Sequence, residues 1–320
     1  MKVLVTGGLG FIGSNFILEA LKKYPNWKIV NADAKLLGSN PHNLDSINNK
    51  NYKFVRGNIT NQKLMDKLIS NTDVVFNFAA ESHVDRSIIN PKPFMDSNFM
   101  GVYTILESIR KYKKKLIQIS TDEVFGSLMS GSANEQHVLN PSSPYSSSKA
   151  SAELLLKSYF VTYEIDVIIT RCTNNFGPRQ FPEKLIPKVI MLAEKNKDIP
   201  VYGNGKQIRD WIYVSDHCNA VLKVFENGKT GESYNIAGHN EYDNNTIVHR
   251  ILKIMKKPVT LIKHVKDRPG HDFRYSLDSS KIERRLKWKP EYDLDSGLEN
   301  TIKWYLENKS WWKNISKINF

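Results

Sequence analysis

The β-branched run at residues 2–6 breaks into Gly7-Gly8-Leu9-Gly10-Phe11-Ile12-Gly13, and an amphipathic helical pattern over 14–24 follows at once. A strand that enters glycines at every third position and leaves as a helix admits few folds. Glycine takes positive φ and lets the main chain approach a ligand closely. The helix amino terminus adds unbonded N–H groups and partial positive charge, which together suit a pyrophosphate. Asp33 closes the second β-branched run, 20 residues past Gly13. A carboxylate there accepts from an adenosine ribose and repels a 2′-phosphate, so the expected cofactor is NAD rather than NADP.

Short β-branched runs at 2–6, 28–33, 52–56, 73–79, 115–120 and 166–171 alternate with longer helical patterns. That alternation predicts α/β architecture: a Rossmann-type, doubly wound parallel sheet with helices on both faces. Beyond Thr173 prolines punctuate shorter elements, and a smaller, discontinuous substrate-binding lobe is expected. The strand-like stretch 233–237 reads as a return to the sheet. The division drawn from sequence is therefore 1–174, with 213–238 returning to it, for the cofactor, and 175–212 with 239–320 for the substrate. Such a chain of 320 residues is long enough for two lobes around one site.

A net charge of +13 raises nucleic acid as a partner, but the basic residues are dispersed, and the densest run, 111–115, ends a helical pattern where lysines complement the dipole. No nucleic-acid partner is expected. No apolar run approaches the ~20 residues that span a bilayer, mean hydropathy is −0.44, and the chain passes from Met1 directly into a strand without a cleavable leader. No membrane association and a cytoplasmic location are expected. Cys172 and Cys218 each lie in an apolar stretch, so buried free thiols are expected rather than a disulfide or a metal site.

Tyr145 and Lys149 stand four residues apart, on one face of the helix that Pro144 begins. The spacing also occurs at Tyr24/Lys28, Tyr202/Lys206 and Tyr305/Lys309, so position in the fold selects this pair. An ammonium beside a phenol favours phenolate, which makes Tyr145 a candidate base. Thr121-Asp122-Glu123 closes the fifth strand, at the sheet edge where α/β folds gather catalytic groups. Adjacent carboxyls raise each other's pKa, and one protonated beside one ionised group is what elimination of water requires.

Phe78-Ala79-Ala80-Glu81-Ser82-His83-Val84-Asp85-Arg86-Ser87 with Thr121-Asp122-Glu123 resembles the nucleotide-sugar branch of the extended short-chain dehydrogenases, and within it the dTDP-glucose 4,6-dehydratase family. Asn174-Asn175-Phe176-Gly177-Pro178, residues 181–187, 207–211 and 268–272 extend the likeness over nearly the whole chain. The resemblance implies dehydration of dTDP-glucose or a related nucleotide-sugar. In it Tyr145 takes the C4 hydroxyl proton, Thr121 bonds that hydroxyl, Glu123 removes the C5 proton, and Asp122 protonates the departing C6 hydroxyl. Hydride passes from C4 to NAD and back to C6.

The same likeness implies cofactor contacts from Gly7, Gly10, Phe11, Ile12, Gly13, Asp33, Lys35, Asn58, Ile59, Ala79, Ala80, Ser97, Tyr145, Lys149 and Asn175. It implies substrate contacts from Ser82, Thr121, Asn174, Glu183, Lys184, Leu185, Pro200, Tyr202, Arg209, Asn244, Arg268 and His271. Ala34, Leu37 and Asn58 depart from the family pattern, which implies looser ribose contact and weaker adenine readout. A homodimer is expected, since relatives pair two helices from each subunit, here those near 98–111 and 145–163. The alternatives are a nucleotide-sugar epimerase or decarboxylase of the same fold, or a non-catalytic NAD-sensing protein. The Asp-Glu pair and the intact Tyr145 and Lys149 weigh against them.

Overall fold

Val3, Leu4 and Val5 are fully buried although neighbours on a strand face opposite ways, so the first strand is covered on both sides. Val3 and Val5 pack with Phe16, Ile17, Val221 and Leu222 on one face. Leu4 packs with Val75, Ile105 and Leu156 on the other. The computed structural model describes residues 1–315, so the end of the expected substrate lobe, 316–320, lies outside the described residues.

The first six strands are β1 (Lys2–Thr6), β2 (Lys28–Asp33), β3 (Tyr52–Arg56), β4 (Val74–Asn77), β5 (Lys115–Thr121) and β6 (Val167–Cys172). Then come β7 (Asn174–Phe176), β8 (Ile199–Tyr202), β9 (Ile208–Tyr213), β10 (Ser233–Ile236), β11 (Glu241–Asp243) and β12 (Ile262–Val265). Seven of them form one parallel sheet in the order β10-β6-β5-β4-β1-β2-β3. Strand order reverses between β1 and β4, and the crevice beyond their carboxyl ends is the ligand site of such folds. Thr6, Asn77 and Gln118 tie this switch point together: Thr6 Oγ1 donates to Asn77 Oδ1 at 2.6 Å, and Asn77 Nδ2 to Gln118 Oε1 at 2.8 Å.

The helices in the first half are α1 (Phe11–Lys23), α2 (Gln62–Ile69), α3 (Val84–Ile89), α4 (Lys92–Phe94), α5 (Gly101–Tyr112) and α6 (Pro144–Tyr163). Those in the second half are α7 (Leu185–Glu194), α8 (Val214–Asn227), α9 (Asn244–Ile254), α10 (Ser280–Leu286), α11 (Leu294–Glu307) and α12 (Lys309–Ile315). The smaller sheets, β11-β9-β7 and β12-β8, share a separate core with α7, α9 and α11, centred on Phe176, Trp211, Ile247, Leu298 and Tyr305. The core of the large sheet also takes side chains from beyond β10. Ile282, Leu286 and Trp288, in and after α10, join the core of the large sheet beside α8 and β10.

The helix expected over 98–111 is two structures. Met95–Met100 forms a π-turn, and α5 begins at Gly101. The wider turn brings Asn98 inward, and its side chain is spent on the interior. Helix α6 starts as expected. Ser143 caps it, exchanging hydrogen bonds with Ser146, and Pro144 fills the first position, where no N–H is missed.

Candidate active site

Gly7 has φ of +70°, and a Cβ there would lie 2.5 Å from Ala79 N, so only glycine passes between β1 and the end of β4. A Cβ on Gly13 would meet Gly7 O at 2.4 Å, which fixes how closely α1 returns to the turn. No side chain caps α1 at Gly10, and Gly10 through Gly13 line a cleft open to solvent. Asp33 is buried at the far wall. Its Oδ2 accepts from Leu9 N at 3.0 Å, and its Oδ1 from Lys35 N at 2.7 Å and Ser39 Oγ at 2.9 Å.

The cleft gathers Gly7, Gly10, Phe11, Ile12, Gly13, Asp33, Asn58, Ile59, Ala79, Ala80, Ser82, Ser97, Thr121, Asp122, Glu123, Tyr145, Lys149, Asn174, Asn175, Glu183 and Lys184. Lys35 stands apart from it: its backbone is left-handed, φ +57°, and its Nζ sits 5.0 Å from the centre of the Phe54 ring. Leu185, Pro200, Tyr202, Arg209, Asn244, Arg268 and His271 are also outside the cleft wall. Of these, Tyr202, Arg268 and His271 collect around Asp85 and Asp267. Arg209 is buried against the Tyr275 ring, 4.3 Å from its centre, with its N–H groups on main-chain carbonyls. Asn58 Oδ1 is taken by Thr60 N at 3.0 Å.

At the end of β5, Thr121 Oγ1 donates to Asp122 Oδ1 at 3.1 Å, while Asp122 Oδ2 is buried and has no partner among the described residues. Burial, then the neighbouring Glu123, push the Asp122 carboxyl up to about 8, so it holds its proton at neutral pH. Burial raises Glu123 too, with Arg268, Lys184 and Arg209 opposing the shift. The expected phenolate does not follow from the protein alone. Tyr145 is pushed well above the ordinary tyrosine value by burial and then by Glu123. Lys149, itself lowered to about 8 by burial, donates to Ile119 O at 2.7 Å instead of relieving the phenol. Added positive charge beside the ring is what this site requires.

With the geometry in place, the comparisons decide the family. The family model for GDP-mannose 4,6 dehydratase matches residues 4–301. The chain is 42% identical to a dTDP-glucose 4,6-dehydratase of Xanthomonas campestris pv. campestris, over 98% of this chain and 95% of that protein. It belongs to the dTDP-glucose 4,6-dehydratase family. The crystal structure of the Bacillus anthracis dTDP-glucose 4,6-dehydratase in complex with NAD is 45% identical, covering 99% of this chain and 100% of that one, with a TM-score of 0.93. The Streptomyces venezuelae dTDP-glucose 4,6-dehydratase, also crystallised with NAD, gives a TM-score of 0.97 at 39% identity, with 99% and 100% coverage.

In this member of the dehydratase family, several residues that support the site were not singled out from sequence. Asn98 accepts from Glu81 N and donates to Glu81 O, both at 2.9 Å, and also donates to Ser148 Oγ at 2.9 Å. It thereby fixes the cleft wall after β4 against α6. His217, held neutral by burial that lowers it to about 3, pairs through Nδ1 with Asn175 Oδ1 at 2.9 Å. Tyr275 OH donates to Asp272 Oδ2 at 2.6 Å and approaches Glu123 Oε2 at 3.5 Å. Polar residues in apolar helical faces, such as Asn98 in α5's approach and His217 in α8, were the available signal.

Proposed function

We propose that this chain is a hydro-lyase that converts dTDP-glucose to dTDP-4-keto-6-deoxyglucose with NAD as a resident cofactor. The observation that carries the reading is the Asp122–Glu123 pair, one carboxyl held protonated and the other surrounded by cations, beside the Tyr145–Lys149 pair on a single cleft. The residues fit NAD: α1 presents an uncapped amino terminus to the cleft, and a Cβ at Gly10 would meet nothing closer than Gly7 O at 3.2 Å. Asp33 puts a carboxylate on the cleft wall at the end of β2, where it would repel a 2′-phosphate. When bound, NAD supplies a reversible acceptor for the C4 hydrogen and a positive ring near Tyr145.

In this reading Tyr145 receives the C4 hydroxyl proton and Thr121 holds that hydroxyl. The C4 ketone acidifies C5, Glu123 takes the C5 proton, and Asp122 gives its proton to the C6 hydroxyl, which leaves as water. A proton returns to C5 from Glu123 as C6 regains the hydrogen that left C4, so Glu123 is ionised again, and the proton that Tyr145 took from the C4 hydroxyl makes good the one Asp122 lost with the water. Lys149 and Asn175 border the cofactor, and Ser82, Asn174, Glu183 and Lys184 the sugar. Arg209, Arg268, His271, Tyr202, Pro200, Leu185 and Asn244 complete the nucleotide end.

Residues 1–174 with 213–238 serve the cofactor, and 175–212 with the rest of the chain serve the nucleotide-sugar. The assembly is a homodimer and works in the cytoplasm; no nucleic-acid or membrane partner enters the reading. Among the described residues no helix is long and apolar enough to cross a membrane. The test is incubation with dTDP-glucose in deuterium oxide. The expected product is a 4-keto-6-deoxy sugar with one solvent deuterium at C5 and the C4 hydrogen recovered at C6. Retention of the 6-hydroxyl would indicate an epimerase, and no turnover a sensor.

A further inference from the structure

The segment that follows β4 makes the contacts across the cleft mouth. Ser82 O accepts from Lys184 Nζ at 2.8 Å, and Arg86 lies 3.2 Å from Glu183. Asp85 divides its carboxylate. Oδ1 accepts from Arg268 Nη1 at 2.7 Å, and Oδ2 from Tyr202 OH at 3.1 Å, partners 183 and 117 residues away in sequence. A carboxylate with both oxygens free can grip a guanidinium bidentately, the stronger and more specific geometry. Here the second oxygen is committed to Tyr202, so Arg268 is held by one corner. Its Nε is buried and, among the described residues, without a partner, and its charge acts on Glu123 inside the cleft. An unsatisfied buried N–H on a cation is costly, and an anionic oxygen is the acceptor that matches it best.

We infer that Asp85 is a positioning residue for nucleotide-sugar binding: from the cofactor side of the cleft it fixes Arg268 and Tyr202 so that the open guanidinium edge meets the diphosphate. The inference rests on the assignment of Arg268 to the diphosphate. One partner per oxygen also means that a shift of α3 moves both groups together, so the wall that begins at Ala79 and Ala80 and the nucleotide end are set by one short stretch of chain.

The experiment uses the NAD-loaded enzyme and its Asp85→Asn, Arg268→Lys and double variants, with thymidine diphosphate titrated calorimetrically and dTDP-glucose kinetics alongside. Asp85→Asn is expected to raise both the Kd for thymidine diphosphate and KM about tenfold, the size of a hydrogen bond to a charged group. Bound NAD and kcat should stay unchanged, and the substitution should add nothing in the Arg268→Lys background. Several results overturn the inference: unchanged or tighter binding in Asp85→Asn, which makes the carboxylate a bystander or a competitor; full additivity of the two changes; or loss of NAD and kcat together, which marks a role in folding only. If Arg268→Lys also binds like the parent, the diphosphate assignment beneath the inference falls as well; if Arg268→Lys alone weakens binding, that assignment stands and only the role of Asp85 fails.

Discussion

Tyr145 and Asp122 are both displaced by burial toward their protonated forms, and the chemistry needs opposite things from them. The phenol must give up its proton to act as a base, so Tyr145→Phe is expected to slow C4 oxidation by ~10²- to 10⁴-fold, read as the loss of transient NADH absorbance in a single turnover. Asp122 must keep its proton. Held at about 8, it is competent at neutral pH and deprotonates above that, so elimination should slow as pH rises through about 8. Asp122→Asn should lower the rate by ~10²- to 10⁴-fold and remove that alkaline limb. Stability carries the same sign: the folded state holds this proton where the unfolded chain has released it, so Asp122 makes stability fall as pH rises from the ordinary carboxylate range to about 8. In thermal melts across that window, Asp122→Asn should lose this component of the slope.

Single elements carry the alignment of these groups. The π-turn Met95–Met100 exists where Asn98 faces inward and satisfies both the N–H and the C=O of Glu81. Helix α6 receives a third bond from the same side chain through Ser148, whose Oγ also bonds Tyr145 O at 2.7 Å. Asn98→Ala leaves those main-chain groups unpaired, at a cost of about 1–3 kcal/mol. The expected outcome is a lower melting temperature together with reduced NAD retention on gel filtration, since the freed wall includes Ala79 and Ala80. A lower melting temperature with full NAD retention would confine Asn98 to stability.

At the scale of the whole molecule, α5, its preceding turn and α6 leave apolar side chains outside: Met100, Tyr103, Leu154, Val161 and Tyr163, with Val161 77% exposed. Leu154 and Val161 are seven residues apart on one face of α6, the spacing of a helix–helix seam. Light scattering should report a dimer, and Leu154→Glu with Val161→Glu should convert it to monomer; a wild-type monomer would remove the dimer from the reading. The sequence determined the parallel sheet, the glycine turn, Asp33 at the second strand and Thr121-Asp122-Glu123 at the fifth, because strand and turn preferences are local and the βα connections leave those residues at one sheet edge. Tertiary structure alone decided the remainder. Lys149 turns to Ile119 O, Tyr145 is pushed up rather than down, α10 rejoins the core of the large sheet, Lys35 leaves the cleft, and Asp85 reaches Arg268. Each of these depends on burial or on partners distant in the chain, and a pattern of neighbouring residues holds no record of either.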